Sequence, residues 1–386
     1  MKTVYLDHAA TSWPKPPEVS EAMVRFLENV GANPGRSAHR RSIEAARVVY
    51  GAREAVAELF GVDDPARVVL TLNLTEALNL ALRGLLKPGD HVITSGLEHN
   101  AVMRPLRALE ASGVAVTLAP HTEEGDLDLA RLEKAIGPDT KLIVLNHASN
   151  VSGVLQDLSG VGEIARAHGL LFLVDSAQTA GCVPLEMTAN GIDLLAFTGH
   201  KSMMGPLGTG GLVIGPRVDL ERFEPLVRGG TGSRSESEEQ PVFLPDRYES
   251  GTPNAVGLAG LEAGVRWVLR QKVETIRQHG IDLTTRLLDG LRRVPELVVL
   301  GGGEAMARVP TVSWQLPGLL VSDAGWRLDE DHGVLCRVGL HCAPAAHRTL
   351  GTFPEGSVRL SMGPFLEPGD IDHALAAIDT LARKMR

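Results

Sequence analysis

Cysteine is scarce in this chain. Three of 386 residues are cysteine (Cys182, Cys336 and Cys342), and their spacing fits neither a disulfide framework nor a zinc site. That scarcity implies a reducing compartment. A basic surplus is also missing: 38 Lys and Arg stand against 47 Asp and Glu, a net charge of −9. Nothing in that balance neutralises phosphates, which argues against nucleic acid as the main partner. One basic cluster, over residues 36–47, is too short and mixed to reverse the argument. No stretch approaches the roughly 18 to 20 consecutive apolar residues of a membrane span. The opening residues, Met1 to Asp7, hold no apolar run of the kind a signal peptide needs. Internal repeats and low-complexity tracts are absent. The expectation is a cytoplasmic protein with no metal, no membrane and no nucleic acid among its partners.

What is present is ordinary for a globular chain, with 44% hydrophobic and 22% charged residues. The length allows one large domain and a smaller one. Short apolar runs over 68–71, 91–94, 114–117, 141–145, 170–174, 194–197 and 211–214 alternate with helical patterns. Strands alternating with helices predict βαβ units, hence an α/β fold whose large domain holds a mainly parallel seven-stranded sheet covered by helices. The first stretch, to about residue 60, reads as loop plus a helix over 42–60. A long helix over 255–279 leads into a second unit with short strands near 297–300, 311–315 and 334–337 and a final helix from Pro368. The division expected is 1–260 for the large domain, its N-terminal segment packing on the small one, and 261–386 for a small α+β domain.

The densest chemistry lies between two of the apolar runs. Asp175 ends the run 170–174, and Lys201 follows the run 194–197 by way of Thr198, Gly199 and His200; 26 residues separate Asp175 from Lys201. The glycine-rich stretch 205–211 comes next, and glycine lets backbone approach a ligand closely. An acid at one strand end and a lysine after the next are what a pyridoxal phosphate enzyme needs. The lysine forms the Schiff base and the carboxylate pairs with the pyridinium nitrogen.

Further candidates sit at strand ends, where open α/β sheets bind ligands. Thr75 lies near a helix N-terminus, suited either to phosphate or to a plain N-cap role. His99, in Glu98-His99-Asn100, reads as a ring-stacking or proton-shuttling group or as a satisfied surface histidine. Asn150 and Gln178 each offer an amide donor to a phenolate oxygen, although Asn150 also fits a turn. Arg359, inside the apolar run 358–361, reads as a carboxylate clamp or as half of a structural ion pair. Cys342 follows His341 on a loop bounded by Gly339 and Pro344, and neighbouring cations from Arg337 and His341 would expose its thiolate. Cys182 and Cys336 read as packing residues.

Taken together these motifs, from Leu6-Asp7-His8-Ala9-Ala10-Thr11 to the last helix, resemble the cysteine desulfurases of the class V aminotransferase group, fold-type I pyridoxal phosphate enzymes. The branch resembled has a short active-site cysteine loop, since Arg359 follows Cys342 by only 17 residues. The resemblance implies pyridoxal 5'-phosphate as cofactor, held by Lys201 as an internal aldimine, with His99 on the ring and assisting protonation. It implies Asp175 at the pyridine nitrogen, Gln178 at the phenolic oxygen with Asn150 beside it, and Thr75, Thr198 and His200 on the phosphate. Thr252 would reach the phosphate of a neighbouring subunit, which makes the protein a homodimer. Arg359 would clamp the substrate carboxylate, with Asn150 and Arg337 on the substrate side. Cys342 would take the sulfur of L-cysteine as a persulfide, release L-alanine and pass sulfur to an acceptor protein, as in iron–sulfur cluster assembly. Two departures stand out: Leu74 occupies the place of a second threonine, and the segment 343–347 differs from the best-known short-loop members. Alternatives of another kind are a selenocysteine or cystine lyase, another activity of the same fold, or a non-catalytic binding protein.

Overall fold

A computed structural model describes residues 2–35, 39–122 and 125–384. The start of the basic cluster, residues 36–38, lies outside the described residues. The chain enters along a two-residue strand, β1 (Val4–Tyr5), and builds its main sheet from β2 (Val68–Thr71), β3 (His91–Ser95), β4 (Ala115–Ala119), β5 (Thr140–Asn146), β6 (Leu171–Asp175), β7 (Leu194–Thr198) and β8 (Gly210–Ile214). The order across this seven-stranded sheet is β2-β8-β7-β6-β5-β3-β4. Only β8 runs against its neighbours; the ladders from β7 to β4 are parallel.

Alternation explains why the central strands are apolar throughout. Successive side chains point to opposite faces, and both faces are covered. Ile143, Leu145, Phe172, Val174, Leu195 and Phe197 enter the core on one side. Leu142, Val144, Leu173, Leu194 and Ala196 enter the core on the other. A strand buried on both sides reads as a continuous apolar run rather than an alternating one.

The C-terminal part forms a four-stranded antiparallel sheet from β9 (Val298–Val299), β10 (Thr311–Gln315), β12 (Arg337–Gly339) and β13 (Ser357–Ser361), in the order β12-β13-β10-β9. Strand β11 (Val334–Leu335) pairs in parallel with β1, so Val4 and Leu6 lie in the core of this second sheet, with Trp314 and Leu360.

Three expectations need correction. The run 334–337 is two strands, because the chain leaves the β1 ladder at Cys336 and joins β13 at Arg337. The long helix over 255–279 breaks at Lys272, whose φ of 67° is left-handed, into Ala255–Gln271 and Val273–Leu291; the division at 260/261 falls inside the first of these. The N-terminal loop holds the helix Pro17–Arg25, started by a proline in its first turn, and a π-helical turn, Phe26–Val30.

One seam joins the two sheets. Four consecutive carbonyls of the loop after β5 accept hydrogen bonds from the C-terminal part. Arg359 Nη1 donates to Asn150 at 3.0 Å, Ser313 Oγ to Val151 at 2.6 Å, Arg308 Nη1 to Ser152 at 2.6 Å and Val309 N to Gly153 at 2.9 Å. Gly153 is required there: its φ is 77°, and a Cβ would meet the Thr311 carbonyl oxygen at 2.2 Å.

Candidate active site

The C-terminal ends of the parallel strands open into a cleft of about 230 Å³. Thr75, His99, Asn150, Asp175, Gln178, Thr198, His200, Lys201, Arg337 and Arg359 all line it. Cys342 and Thr252 do not.

Asp175 ends β6 with its carboxylate buried, and Oδ1 accepts the Ala177 N–H at 2.9 Å. Burial pushes this carboxyl up from its ordinary range, while the Ala177 N–H and the Lys201 ammonium pull it back. Lys201 lies in the connection from β7 to β8. Burial pushes its ammonium down to about 8; Arg359 and Arg337 act in the same direction and Asp175 opposes them. A lysine so placed holds its amine partly free of the proton near neutrality.

His99 caps the helix Asn100–Glu110, its Nδ1 accepting from Ala101 N at 3.0 Å. That bond assigns the proton of the neutral ring to Nε2. Burial holds the imidazole down at about 4, with Lys201, Arg337 and Arg359 adding to the effect. Thr75 is not the N-cap. Asn73 is, since its Oδ1 accepts from Glu76 N at 2.9 Å, so Thr75 is the second residue of the helix Leu74–Leu85 and exposed at its positive end. Thr198 is buried at the end of β7, and His200 Nδ1 is buried without a partner.

Each amide uses one of its two N–H donors. Asn150 Nδ2 donates to the His341 carbonyl at 2.7 Å, and Gln178 Nε2 to the Ala9 carbonyl at 3.2 Å. Asn150 Oδ1 is buried without a partner. The ion-pair reading of Arg359 is the one the geometry shows. Its Nη2 pairs with Asp7 Oδ1 at 2.8 Å, whereas its buried Nε has no partner. Arg337 is directly opposite Arg359 in the β12–β13 register. Like charges so placed repel, and an anion at the cleft would relieve that repulsion.

Cys342 is exposed, with Sγ 3.5 Å from Arg337 Nη2. His341 and Cys342 are both left-handed, with φ of 48° and 58°, a strained pair for residues with side chains. Asn150 holds this turn through the His341 carbonyl, and Asn100 N donates to the Cys342 carbonyl at 2.9 Å. The expected charge from His341 is not there. Its ring is buried, with Nε2 3.0 Å from Ser357 Oγ, and burial drives it down to about 2. The cation that reaches the thiol is Arg337, and the Arg359 guanidinium also interacts with it. Cys182 is buried against the Gln178 carbonyl, and burial pushes the half-buried Cys336 up to about 12. Thr252 is exposed beside a second cavity of about 420 Å³ that is also lined by Gly208, Glu249 and Asn254.

Sequence reasoning missed Glu98. It is fully buried, accepting Ser95 Oγ–H at 2.6 Å and Asn146 N–H at 3.0 Å. Its place beside His99 was visible, but its burial follows from β3 and β5 being neighbours. Lys15 and Ser12, which bond to the backbone of His200 and Lys201, were missed because that contact joins the N-terminal segment to the distant β7–β8 connection.

The family model for class-V aminotransferases matches residues 4–373. The chain belongs to that family. Within it, the chain is 34% identical to a probable cysteine desulfurase of Methanothermobacter thermautotrophicus, over 93% of this chain and 90% of that one. It is 33% identical to the cysteine desulfurase IscS of Vibrio campbellii, over 99% and 93%. Among solved structures, the apo cysteine desulfurase from Thermococcus onnurineus NA1 superposes with a TM-score of 0.93 at 33% identity, covering 99% of this chain and 95% of that one. The Escherichia coli cysteine desulfurase CsdA superposes with a TM-score of 0.87 at 29% identity, with the same coverage. The class-V fold is thus the expected α/β one, with a mostly parallel central sheet. No described helix of this class-V chain is long and apolar enough to cross a membrane, and no metal-binding cluster of His, Cys, Asp or Glu occurs among the described residues.

Proposed function

We propose that this protein is a pyridoxal phosphate-dependent cysteine desulfurase that converts L-cysteine to L-alanine and carries the sulfur on Cys342. The observation that carries this reading is Arg337: it lines the cleft opposite Arg359 and reaches Cys342 Sγ, so substrate groove and thiol share one cation. The residues fit the cofactor. A buried carboxylate, a lysine amine, the positive end of a helix and the unpartnered His200 Nδ1 line one cleft. When bound, pyridoxal phosphate supplies an electron sink for the carbon next to the substrate amine.

Lys201 would hold the cofactor and move the α-proton at Nζ. Asp175 would keep the ring nitrogen protonated, His99 would cover the ring, and its Nε2–H would donate where protonation is needed. Thr75, Thr198 and His200 would bind the phosphate and Gln178 the phenolic oxygen. Arg359 and Arg337 would receive the substrate carboxylate, with the unpartnered Asn150 Oδ1 facing the substrate amine. Cys342 Sγ then attacks the substrate sulfur. The S–S bond forms as the Cβ–S bond breaks, and the electron pair stays on carbon, which becomes the methyl group of alanine after protonation. Arg337 Nη2, 3.5 Å from Sγ, holds the thiol at the edge of the cleft. Thr252, outside the cleft, would complete the site of a partner subunit in a two-fold homodimer. The scarcity of cysteine and the acidic balance support a cytoplasmic setting, and a sulfur-acceptor protein would unload the exposed thiol, for instance in iron–sulfur cluster assembly.

The test is Cys342→Ala, assayed for alanine and sulfide from L-cysteine with a thiol reductant. The variant should retain cofactor absorbance and lose turnover by about a thousand-fold or more, as expected for removal of a nucleophile. Alanine release at the native rate would make the chain a lyase of the same fold.

A further inference from the structure

The carbonyls of His200 and Lys201 lie in the irregular connection between β7 and β8, outside any sheet ladder. The N-terminal segment supplies donors to both, beside the Met204 N–H that the Lys201 carbonyl also accepts at 2.9 Å. The His200 carbonyl accepts from Ser12 N at 3.0 Å, Thr11 Oγ1 at 3.0 Å and Lys15 Nζ at 2.8 Å. Lys15 Nζ also donates to Ser12 Oγ at 2.6 Å, and that hydroxyl donates to the Lys201 carbonyl at 2.8 Å. Both consecutive carbonyls therefore lead back to one ammonium.

Lys15 is an unusual group for such a place. It is half-buried, and no carboxylate pairs with it among the described residues. A desolvated cation facing only neutral oxygens is costly, and burial pushes this ammonium down to about 8. A carbonyl has two lone pairs, and Ser12 and Thr11 already supply two donors to His200. Satisfying the carbonyl therefore does not by itself explain a third, charged one. What a charged donor adds is strength and fixed direction. The group so held is the peptide from which the Lys201 side chain springs.

We propose that Lys15 is a positioning residue for Lys201: it fixes the peptide joining His200 to Lys201, directly and through the Ser12 hydroxyl, so that Lys201 Nζ enters the cleft in one orientation. This rests on Lys201 being the cofactor-bearing lysine. Lys15 does not touch the reacting atoms. It is also not among the charges that set the affinity of Lys201 for its proton, which are those of Asp175, Arg359, Arg337 and Asp7. Its loss should slow the attachment of cofactor without moving the pH at which Lys201 becomes reactive.

The experiment follows attachment of pyridoxal phosphate to full-length apoprotein by absorbance across pH, then borohydride reduction and mass spectrometry at Lys201. Wild type, Lys15→Met, Lys15→Arg and Lys15→Gln are compared, with circular dichroism confirming that each apoprotein is folded. Lys15→Met should attach cofactor at least about tenfold more slowly, in line with the sensitivity of reaction rates to small misplacements. The midpoint of its pH–rate profile should not change. Lys15→Arg, which keeps a charged donor, should recover most of the rate. If the methionine variant does not fold, Lys15→Gln, which keeps a neutral donor, should fall between wild type and the tenfold loss. A folded Lys15→Met that attaches cofactor at the native rate overturns the proposal, as does a shifted midpoint. A wild-type protein with no adduct on Lys201 overturns the functional reading itself, whatever the variants do.

Discussion

Glu98→Gln should stabilise this protein, and increasingly so as pH rises. Glu98 is fully buried between the ends of β3 and β5, and burial raises its carboxyl from 4.5 to about 8, against the pull of the Ser95 and Asn146 hydrogen bonds. The unfolded chain releases this proton near the ordinary value, whereas the folded chain holds it until about pH 8. Between those points the native state binds more protons than the unfolded state, so wild-type stability falls as pH rises and levels off above about pH 8. Each tenfold difference in proton affinity is worth about 1.4 kcal/mol, which sets the full loss at roughly 5 kcal/mol. Glutamine keeps an acceptor for Ser95 and Asn146 and has no proton to lose. Urea unfolding of both proteins at about pH 5.5, 6.5 and 7.5 should show the variant's advantage growing by about 1 kcal/mol per pH step. Stability curves that run parallel across this range would refute the reasoning, because titrations not coupled to Glu98 cancel in the difference.

Two further outcomes follow from buried arginines. Arg53 forms a bidentate pair with Glu249 and also donates to the Val68 carbonyl; Arg53→Met strands a carboxylate and should cost about 3–5 kcal/mol in urea unfolding. Arg359→Lys keeps the charge but loses the planar fork; it should raise KM for L-cysteine at least about tenfold while leaving cofactor absorbance intact, since each 1.4 kcal/mol of lost binding is a factor of ten.

Much of the large sheet was legible because its central strands are buried on both faces and stand out as unbroken apolar runs. Their order was not, since nothing local to residues 210–214 says that β8 runs antiparallel between β2 and β7. The break at Lys272 escaped because helical periodicity continues on both sides of it and the left-handed residue is not a glycine. The placement in the cleft of Asp175, Lys201 and His99 was legible from residue type at or just after strand ends, and that of Arg359 from an arginine inside an apolar run. The state of His341 was not: its neighbours in sequence are a leucine and the exposed Cys342, while the burial that silences it comes from packing of the loop on Ser357 and Asn150. Thr75 was ambiguous for a similar reason, since only the backbone shows Asn73 to be the cap.

The run of carbonyls from Asn150 to Gly153 has a consequence for how ligands enter. Swinging the C-terminal unit away from the main sheet would break all four of those bonds together, at about 1 kcal/mol net for each, and would pull Arg359 from the cleft it serves. A wide hinged opening would thus cost about 4 kcal/mol in these bonds alone. With the seam intact, entry to the cleft passes a fixed wall, along the rim side chains and the left-handed turn that presents Cys342. A protein built this way should look nearly the same empty and occupied, with its change of shape confined to the span from Leu340 to Ala343.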